Sequence, residues 1–483
     1  MTGLKSGFLA FILVVISLPF FQKELAVVRE PSLYGYFRNA RMPGLDSLTW
    51  NHWFNESFQS QAEQAIEDQV GFRKSLIRIY NEQDYCLFGV ANADGFIRGK
   101  KGYLYEEEYI LEYTGRYFIG KRTIEKKLRK LKAVQEKLRN QGTELIMIIE
   151  PGKASFYPEY IPDHYLVRGR TLSNYDYMVQ KCTDMQIPFL DLNSYFMEMK
   201  ESSPYPLFPK YGMHWSIFGA TLAVDTLNKY ISKQASVHVP AFEVTEVTIT
   251  DKMRSTDNDI EKTLNLIADL PETELAYPEI RFGSDTVDKE LKMLVIGDSY
   301  YNSIKEMFSE NCYLRDDFWY YNRKVYPFIH VDGHDVVHDD LRDRIQGYNV
   351  ILLLSSEINL HCFFWNAVDQ LYAELFPANP DSWFSTYENG IRNDRGWFRF
   401  AVKQAKENFT TLERMIAREA AYQVYQNFNT LDPASKEDSI VYYMQAIRSS
   451  PNWLADTWKK SKMANISLEE MMRIEAEYMY KMN

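Results

Sequence analysis

Hydrophobic and polar positions change their rhythm three times along the chain. Residues Phe8 to Phe21 form an apolar run broken only by Ser17 and Pro19 and preceded by a single Lys5. Such a run suits the apolar region of an export signal and falls short of the ~20 residues a full membrane span requires. Gln22, Lys23 and Glu24 follow without an A-x-A cleavage pattern. The pattern therefore predicts a signal anchor over residues 1–30, uncleaved, with the bulk of the chain in the periplasm at the inner membrane. Cleaved export is the alternative.

Residues 31–120 read as a polar lead-in. Within it FQSQAEQAIEDQVGFRKSLIRIYNEQ spaces its apolar residues as one helix does, and ANADGFIRGKKGYLYEEE places turn signals around short strands. From residue 121 helix and strand alternate. RTIEKKLRKLKAVQEKLRNQG is an amphipathic helix ending at Gly142, and TELIMIIEPGK is a buried strand running into a Pro-Gly loop. Further strands are expected at Ile187–Leu192, LKMLVIG (291–297) and YNVILLLSSE (348–357), with helices opening near His214 and Tyr300. Apolar strands separated by helices predict an α/β fold, a doubly wound parallel sheet covered on both faces. This domain spans 121–365, interrupted by a polar insertion over 234–286 that reads as an elaboration at the sheet's edge.

After residue 366 strand signals vanish and a repeat appears. Ile391/Ile447, Trp397/Trp453, Lys403/Lys459, Leu412/Leu468, Met415/Met471 and Tyr422/Tyr478 all differ by 56. Each copy reads as helix, short turn, helix, with a capping box at Ser467-x-x-Glu470 and a looser equivalent at Thr410-x-x-Glu413. Residues 366–483 are thus an all-helical extension whose Trp, Leu and Met stripes serve packing.

Composition adds bounds. At 483 residues, with 46% hydrophobic and 25% charged, the chain has the make-up of a folded protein of two or three domains. Aromatics reach 15%, a level that fits large aromatic cores and also proteins that handle sugars. A net charge of −11 without a basic run excludes nucleic acid as a partner. Cys86, Cys182, Cys312 and Cys362 are far apart in sequence and are expected to be buried thiols. No metal-ligand spacing is present, and no cofactor is expected.

Two stretches carry candidate chemistry. In MLVIGDSYYNSI a strand runs into Gly297-Asp298-Ser299 and then a helix, which places Ser299 at the carboxyl end of a central strand, where doubly wound sheets bind ligands. Gly297 is expected to permit the sharp turn, and the following helix offers free N–H groups to a developing oxyanion. In YGMHWSIFGA, His214 stands at a loop-to-helix junction and supplies the base that a serine hydroxyl lacks. Trp215 and Tyr300, beside the His and the Ser, are candidate substrate contacts.

GMHWSIFGA resembles the D-x-H-W-x-x-x-G-A segment of the SGNH-hydrolase-like proteins of alginate O-acetylation, the AlgJ and AlgX type, and the order His before Gly-Asp-Ser is similar to that family. EPGKASFYPEYIP (150–162) resembles its P-x-K-x-x-x-YPE-x-P loop; GKKGYLYEEEY (99–109) and QVGFRKSLIRIYN (69–81) look like its other segments. The resemblance implies acetyl transfer to an exported polysaccharide, with Ser299 as nucleophile and His214 as general base. It further implies a membrane-bound O-acyltransferase as the partner that delivers the acetyl group. Lys153 is then a candidate for contact with an acyl oxyanion or an acidic sugar, and Asn359 for donation to the oxyanion. An esterase of the same fold and a non-catalytic glycan-binding part of the acetylation machinery are the alternatives. The family's Asp two residues before the His is absent, because Gly212 occupies that position. An orienting carboxylate is expected from elsewhere, with Asp298, Glu150 and Glu357 as candidates along with Asp257 and Asp259 of the insertion. Two alternatives stand beside it: a Ser–His dyad oriented by a backbone carbonyl, and a domain that has lost its activity.

Overall fold

The computed structural model describes the chain apart from residues 1, 36–41, 45–47, 55, 284–290, 306–314, 327–333, 337–344, 346, 377–381, 429–435, 465 and 483. The chain divides into two compact units. One comprises Met1–Glu107, Pro209–His214 and Thr250–Leu275, and the other Glu108–Phe208, Trp215–Ile249 and Ala276–Asn483. The middle of the polar insertion therefore belongs with the lead-in, a grouping that sequence order conceals.

In the first unit the N-terminal helix runs Thr2–Leu25. The stretch Lys5–Leu25 is long and apolar enough to cross a membrane, and among its described residues Gln22 alone is buried. It extends beyond the apolar run because Gln22, Lys23 and Glu24 continue the helix. Its last turn is tied into the unit. Gln22 exchanges hydrogen bonds with the Val28 backbone (Nε2 to O 2.5 Å, N to Oε1 3.0 Å). A Cβ on Gly71 would lie 2.1 Å from the Pro19 carbonyl oxygen, so only glycine fits there. This close approach also explains why the expected single helix is two, Ser57–Asp68 and Arg73–Phe88. The second is held at its start by Glu30, whose Oε1 accepts from the Ser75 N–H (2.8 Å) and hydroxyl (2.7 Å). As the turn signals imply, β1 (Phe96–Arg98) and β2 (Leu104–Glu106) form an antiparallel hairpin. The Leu104 N–H donates to Lys210 O at 3.1 Å, which docks the His214 segment on β2. Tyr85, Leu104, Tyr211, Ile260, Leu264 and Leu270 form the core beneath it.

The second unit is built on a seven-stranded sheet. Its strands are β3 (Glu144–Glu150), β4 (Phe189–Asp191), β7 (Lys292–Gly297), β8 (Arg315–Tyr320), β9 (Lys324–Tyr326), β10 (His334–Asp335) and β11 (Val350–Ser356), where β5 (Phe242–Thr250) and β6 (Leu275–Phe282) pair separately. The order across the sheet is β10-β9-β8-β7-β11-β3-β4. From β8 to β4 neighbours are parallel, whereas β9 and β10 extend one edge antiparallel. All four predicted core strands are present, and both β3 and β11 are buried at every position, as strands covered on two faces must be. The fold is the expected α/β architecture with a helical C-terminal region.

That region contains helices Trp383–Asn393, Arg395–Glu407, Leu412–Asn427, Lys436–Ser449, Pro451–Ala464 and Leu468–Met482. Each 56-residue copy thus holds three helices. Ile391 and Ile447, where the sequence match begins, lie near the ends of a first helix that stands mostly upstream of the matching segment. Ser467 Oγ accepts from the Glu470 N–H at 3.1 Å as expected. In the other copy the cap is Thr411, accepting from Arg414, one residue past the expected Thr410. Cys182 and Cys362 are buried, but Cys86 is exposed, and Cys312 lies outside the described residues.

Candidate active site

The Met-His-Trp triplet divides its labour. His214 belongs to the first unit and Trp215 to the second. Trp215 is 1% exposed, donates its Nε1–H to Ser303 Oγ at 2.7 Å, and stacks on Phe196 at 5.9 Å. Tyr300, which meets the Trp215 ring edge-on at 4.9 Å, is equally buried. Neither ring is a surface for substrate, contrary to expectation; both anchor the start of the helices that follow. The Gly-Ala pair has the same logic, since a Cβ on Gly219 would lie 2.6 Å from Leu207 O.

His214 is oriented by Asp259. The ring Nδ1 lies 2.8 Å from Asp259 Oδ2, and Asp259 Oδ1 accepts the Met213 N–H at 2.9 Å. An ionised carboxylate only accepts, so Nδ1 carries the hydrogen and the basic lone pair of the neutral ring is on Nε2. Asp259 opens the helix Asp259–Leu264, packed into the first unit by Ile260 and Leu264. Gly212 makes this arrangement possible. A Cβ there would lie 2.3 Å from Thr256 O and 2.8 Å from Asp257 O. The position that holds Asp in the resembled family has no room for a side chain, because the insertion's backbone fills that space and brings its own carboxylate.

Of the four other candidate carboxylates, Asp257 accepts from the Arg254 N–H at 3.4 Å, Asp298, Glu150 and Glu357 stand at the carboxyl ends of the parallel strands, and the orienting role falls to Asp259. Asp298 is 1% exposed. Its Oδ2 accepts from Ser356 N (3.0 Å), Ser356 Oγ (2.7 Å) and Asn359 Nδ2 (2.8 Å), and its Oδ1 from Tyr300 N (3.1 Å). It thereby clamps the end of β7 to the end of β11. Glu150 ends β3 opposite Ser356. Burial, and then the Asp298 carboxylate, push its carboxyl well above the usual range. Glu357 accepts from Ser155 Oγ and Asn193 Nδ2. Burial pushes it up to about 8, with Ser155 opposing.

Asn359 was expected to donate to an oxyanion, but its amide nitrogen is committed to Asp298 and, at 3.2 Å, to Ser356 Oγ. Lys153, the candidate for contact with an acyl oxyanion or an acidic sugar, is 1% exposed and starts the short helix Lys153–Phe156. Ser299 follows β7 directly, with φ −67° and ψ −16°, and its side chain does not cap the helix Tyr300–Ile304 that begins after it. It is half-buried, whereas Asp298 and Tyr300 on either side are buried. Gly297 serves sheet packing instead of a turn: a Cβ on it would lie 3.1 Å from that of Leu354 on β11. Sequence reasoning did not foresee Ser356 or Tyr109, whose hydroxyl is 3.5 Å from that of Tyr300. Neither carries a motif, and their role depends on strand register and chain crossing.

Residues 96–286 match the family described as the SGNH hydrolase-like domain of the acetyltransferase AlgX. The match bears out the resemblance read from the motifs. Among solved structures, the O-acetyltransferase domain of Pseudomonas putida AlgJ is 18% identical, covering 58% of this chain and 99% of its own, with a TM-score of 0.37. Pseudomonas aeruginosa AlgX is 12% identical, covering 59% and 68%, with a TM-score of 0.38. Bacillus cereus PatB1 is 13% identical, covering 54% and 95%, with a TM-score of 0.34. Likeness at this level says nothing of function. No curated protein sequence matches the chain.

Proposed function

We propose that this protein is a membrane-anchored O-acetyltransferase that modifies an exported polysaccharide through an acyl-enzyme on Ser299. His214 Nε2 takes the Ser299 hydroxyl proton as Oγ bonds to the acyl carbonyl carbon. The tetrahedral oxyanion collapses, and the donor's leaving group departs with that proton. A sugar hydroxyl then repeats the sequence in the deacylating direction: it gives its proton to His214, bonds to the acyl carbon and releases Ser299, which recovers its hydrogen. Asp259 holds the imidazole in the required tautomer throughout and stabilises its cation.

The observation that carries this reading is the Asp259–His214 hydrogen bond of 2.8 Å. It removes the objection raised by Gly212, because the base has an orienting carboxylate. The family match over 96–286 and the half-buried Ser299 at the end of a central parallel strand support the same conclusion. Retention of the N-terminal helix as an anchor is supported by the contacts of Gln22 and Gly71, which make its last turn part of the folded unit. The acetyl group then arrives from a membrane-bound O-acyltransferase on the same membrane.

The test is acetylation of the exported polysaccharide in cells, together with hydrolysis of 4-nitrophenyl acetate by the purified protein with and without an oligosaccharide acceptor. Ser299→Ala and His214→Ala abolish both activities on this reading. Unchanged polysaccharide acetylation in Ser299→Ala cells overturns it. Release of acetate without transfer to any offered acceptor moves the assignment to an esterase.

A further inference from the structure

Within the second unit, a pocket of about 270 Å³ lies among the helix Lys121–Arg139 and the helices Trp383–Asn393 and Leu412–Asn427. Its lining includes Arg392, which is 1% exposed. Arg392 Nε and Nη2 are both buried, and neither has a hydrogen-bond partner. The carboxylate beside them, Glu388 Oε1, stands 3.8 Å from Nη2, which is an ion pair but too long for a hydrogen bond. A buried donor left without a partner keeps its full desolvation cost, and the cost is larger when the group is charged. These two nitrogens form one edge of the guanidinium, the fork that matches two oxygens of a carboxylate or a phosphate.

The surrounding charge favours an anion. Lys127 and Lys130 share a single carboxylate, Asp369, at 3.0 and 2.7 Å. Arg122 and Lys126 also line the pocket, so among the described lining residues four cations (with Lys127 and Arg392) stand with three carboxylates (Asp369, Glu388 and Glu413), an excess of one positive charge, and Lys130 further offsets Asp369 from behind. Lys127 Nζ also reaches Asn389 Oδ1 at 3.2 Å, and Lys126 Nζ reaches Ser385 Oγ at 3.3 Å. Burial pushes both Lys127 and Arg392 below their ordinary values, a penalty that an anion in the pocket relieves.

We propose that this pocket binds a small oxyanion, the carboxylate or phosphate group of a compact ligand, on the Nε–Nη2 edge of Arg392, and that the ligand joins the helical repeat to the sheet domain. Neither the catalytic assignment nor the family match bears on this site. The two sources of that chemistry are separated by titrating the full chain in detergent with inorganic phosphate in one arm and glucuronate in the other. One of them is expected to bind at 1:1 and to raise the melting temperature. Arg392→Lys keeps the charge but lacks the fork and weakens binding at least tenfold, while Ser299→Ala binds as the parent does. Glu388→Gln removes a competing acid and tightens binding several-fold, which keeps the test open if Arg392→Lys does not fold. No saturation by either anion at about 10 mM overturns the proposal and leaves water as the partner of the two nitrogens. Binding indifferent to both substitutions overturns it as well.

Discussion

Ser299 and His214, the proposed nucleophile and base, are positioned by different routes. Ser299 is placed by its immediate neighbours: β7 delivers it, Asp298 ties that strand end to β11, and a helix begins one residue later. His214 is oriented by Asp259, 45 residues further along the chain, and the glycine two residues before it is required by the backbone of that same distant segment. On the proposed assignment, the nucleophile is a property of a local motif and the base a property of tertiary structure. In such a site a missing motif residue is weak evidence of lost activity, because the third member needs a position in space and not a position in sequence.

The largest effects test both halves together. Ser299→Ala should lower turnover by about 10⁴-fold or more in the acyl-transfer assay. Asp259→Asn should lower kcat by roughly 10²–10⁴-fold with little change in KM, and Asp259→Glu should recover part of it. Asp298→Asn is expected instead to lower the melting temperature, since its four accepted hydrogen bonds are structural. If Asp259→Asn is silent and Asp298→Asn shows the kcat loss, the contrast between the two regions is wrong.

Glu357 gives a pH signature to the strand-end region. Its folded value of about 8 lies above the ordinary 4.5, so between these values the folded state holds a proton that the unfolded state has lost. Stability therefore falls as pH rises through that window and levels off above it. Glu357→Gln should flatten this dependence and stabilise the fold at pH 9 by several kcal/mol; urea unfolding at pH 5, 7 and 9 measures it. Gly212→Ala sharpens the other half. Its Cβ must displace the Thr256 carbonyl, at a cost of about 1–3 kcal/mol, and the shift carries Asp259 with it, so activity should fall further than the melting temperature suggests. The smallest effect lies in the repeat. Thr411→Ala should cost about 1 kcal/mol and Thr410→Ala close to nothing, read as the difference in melting temperature between the two.

Much of this was legible beforehand. The strands β3, β7 and β11 are uninterrupted apolar runs, and Gly-Asp-Ser stands at the end of one, so periodicity alone located the sheet and put Ser299 at the end of β7. The 56-residue repeat was equally plain, although the opening helix of each copy was not, because the matching residues begin only at its end, at Ile391 and Ile447. The carboxylates were not legible. Asp257, Asp259, Asp298, Glu150 and Glu357 are all acids near promising motifs, and only folding decides which faces an imidazole and which clamps strand ends. Trp215, Tyr300 and Asn359 misled for a related reason. Adjacency to a reactive residue suggested contact with substrate, whereas packing and hydrogen bonding had already claimed them.

The seating of Gly71 on Pro19 bears on how the polypeptide can be handled. Trimming the leader after Leu25 to obtain a tractable soluble form would strip away the surface on which Gly71 rests and the side chain that closes the loop at Val28. Fragments meant for crystals are better begun upstream of Pro19 with the greasy face redesigned, so that the final turn of the leader stays with the body it helps to build.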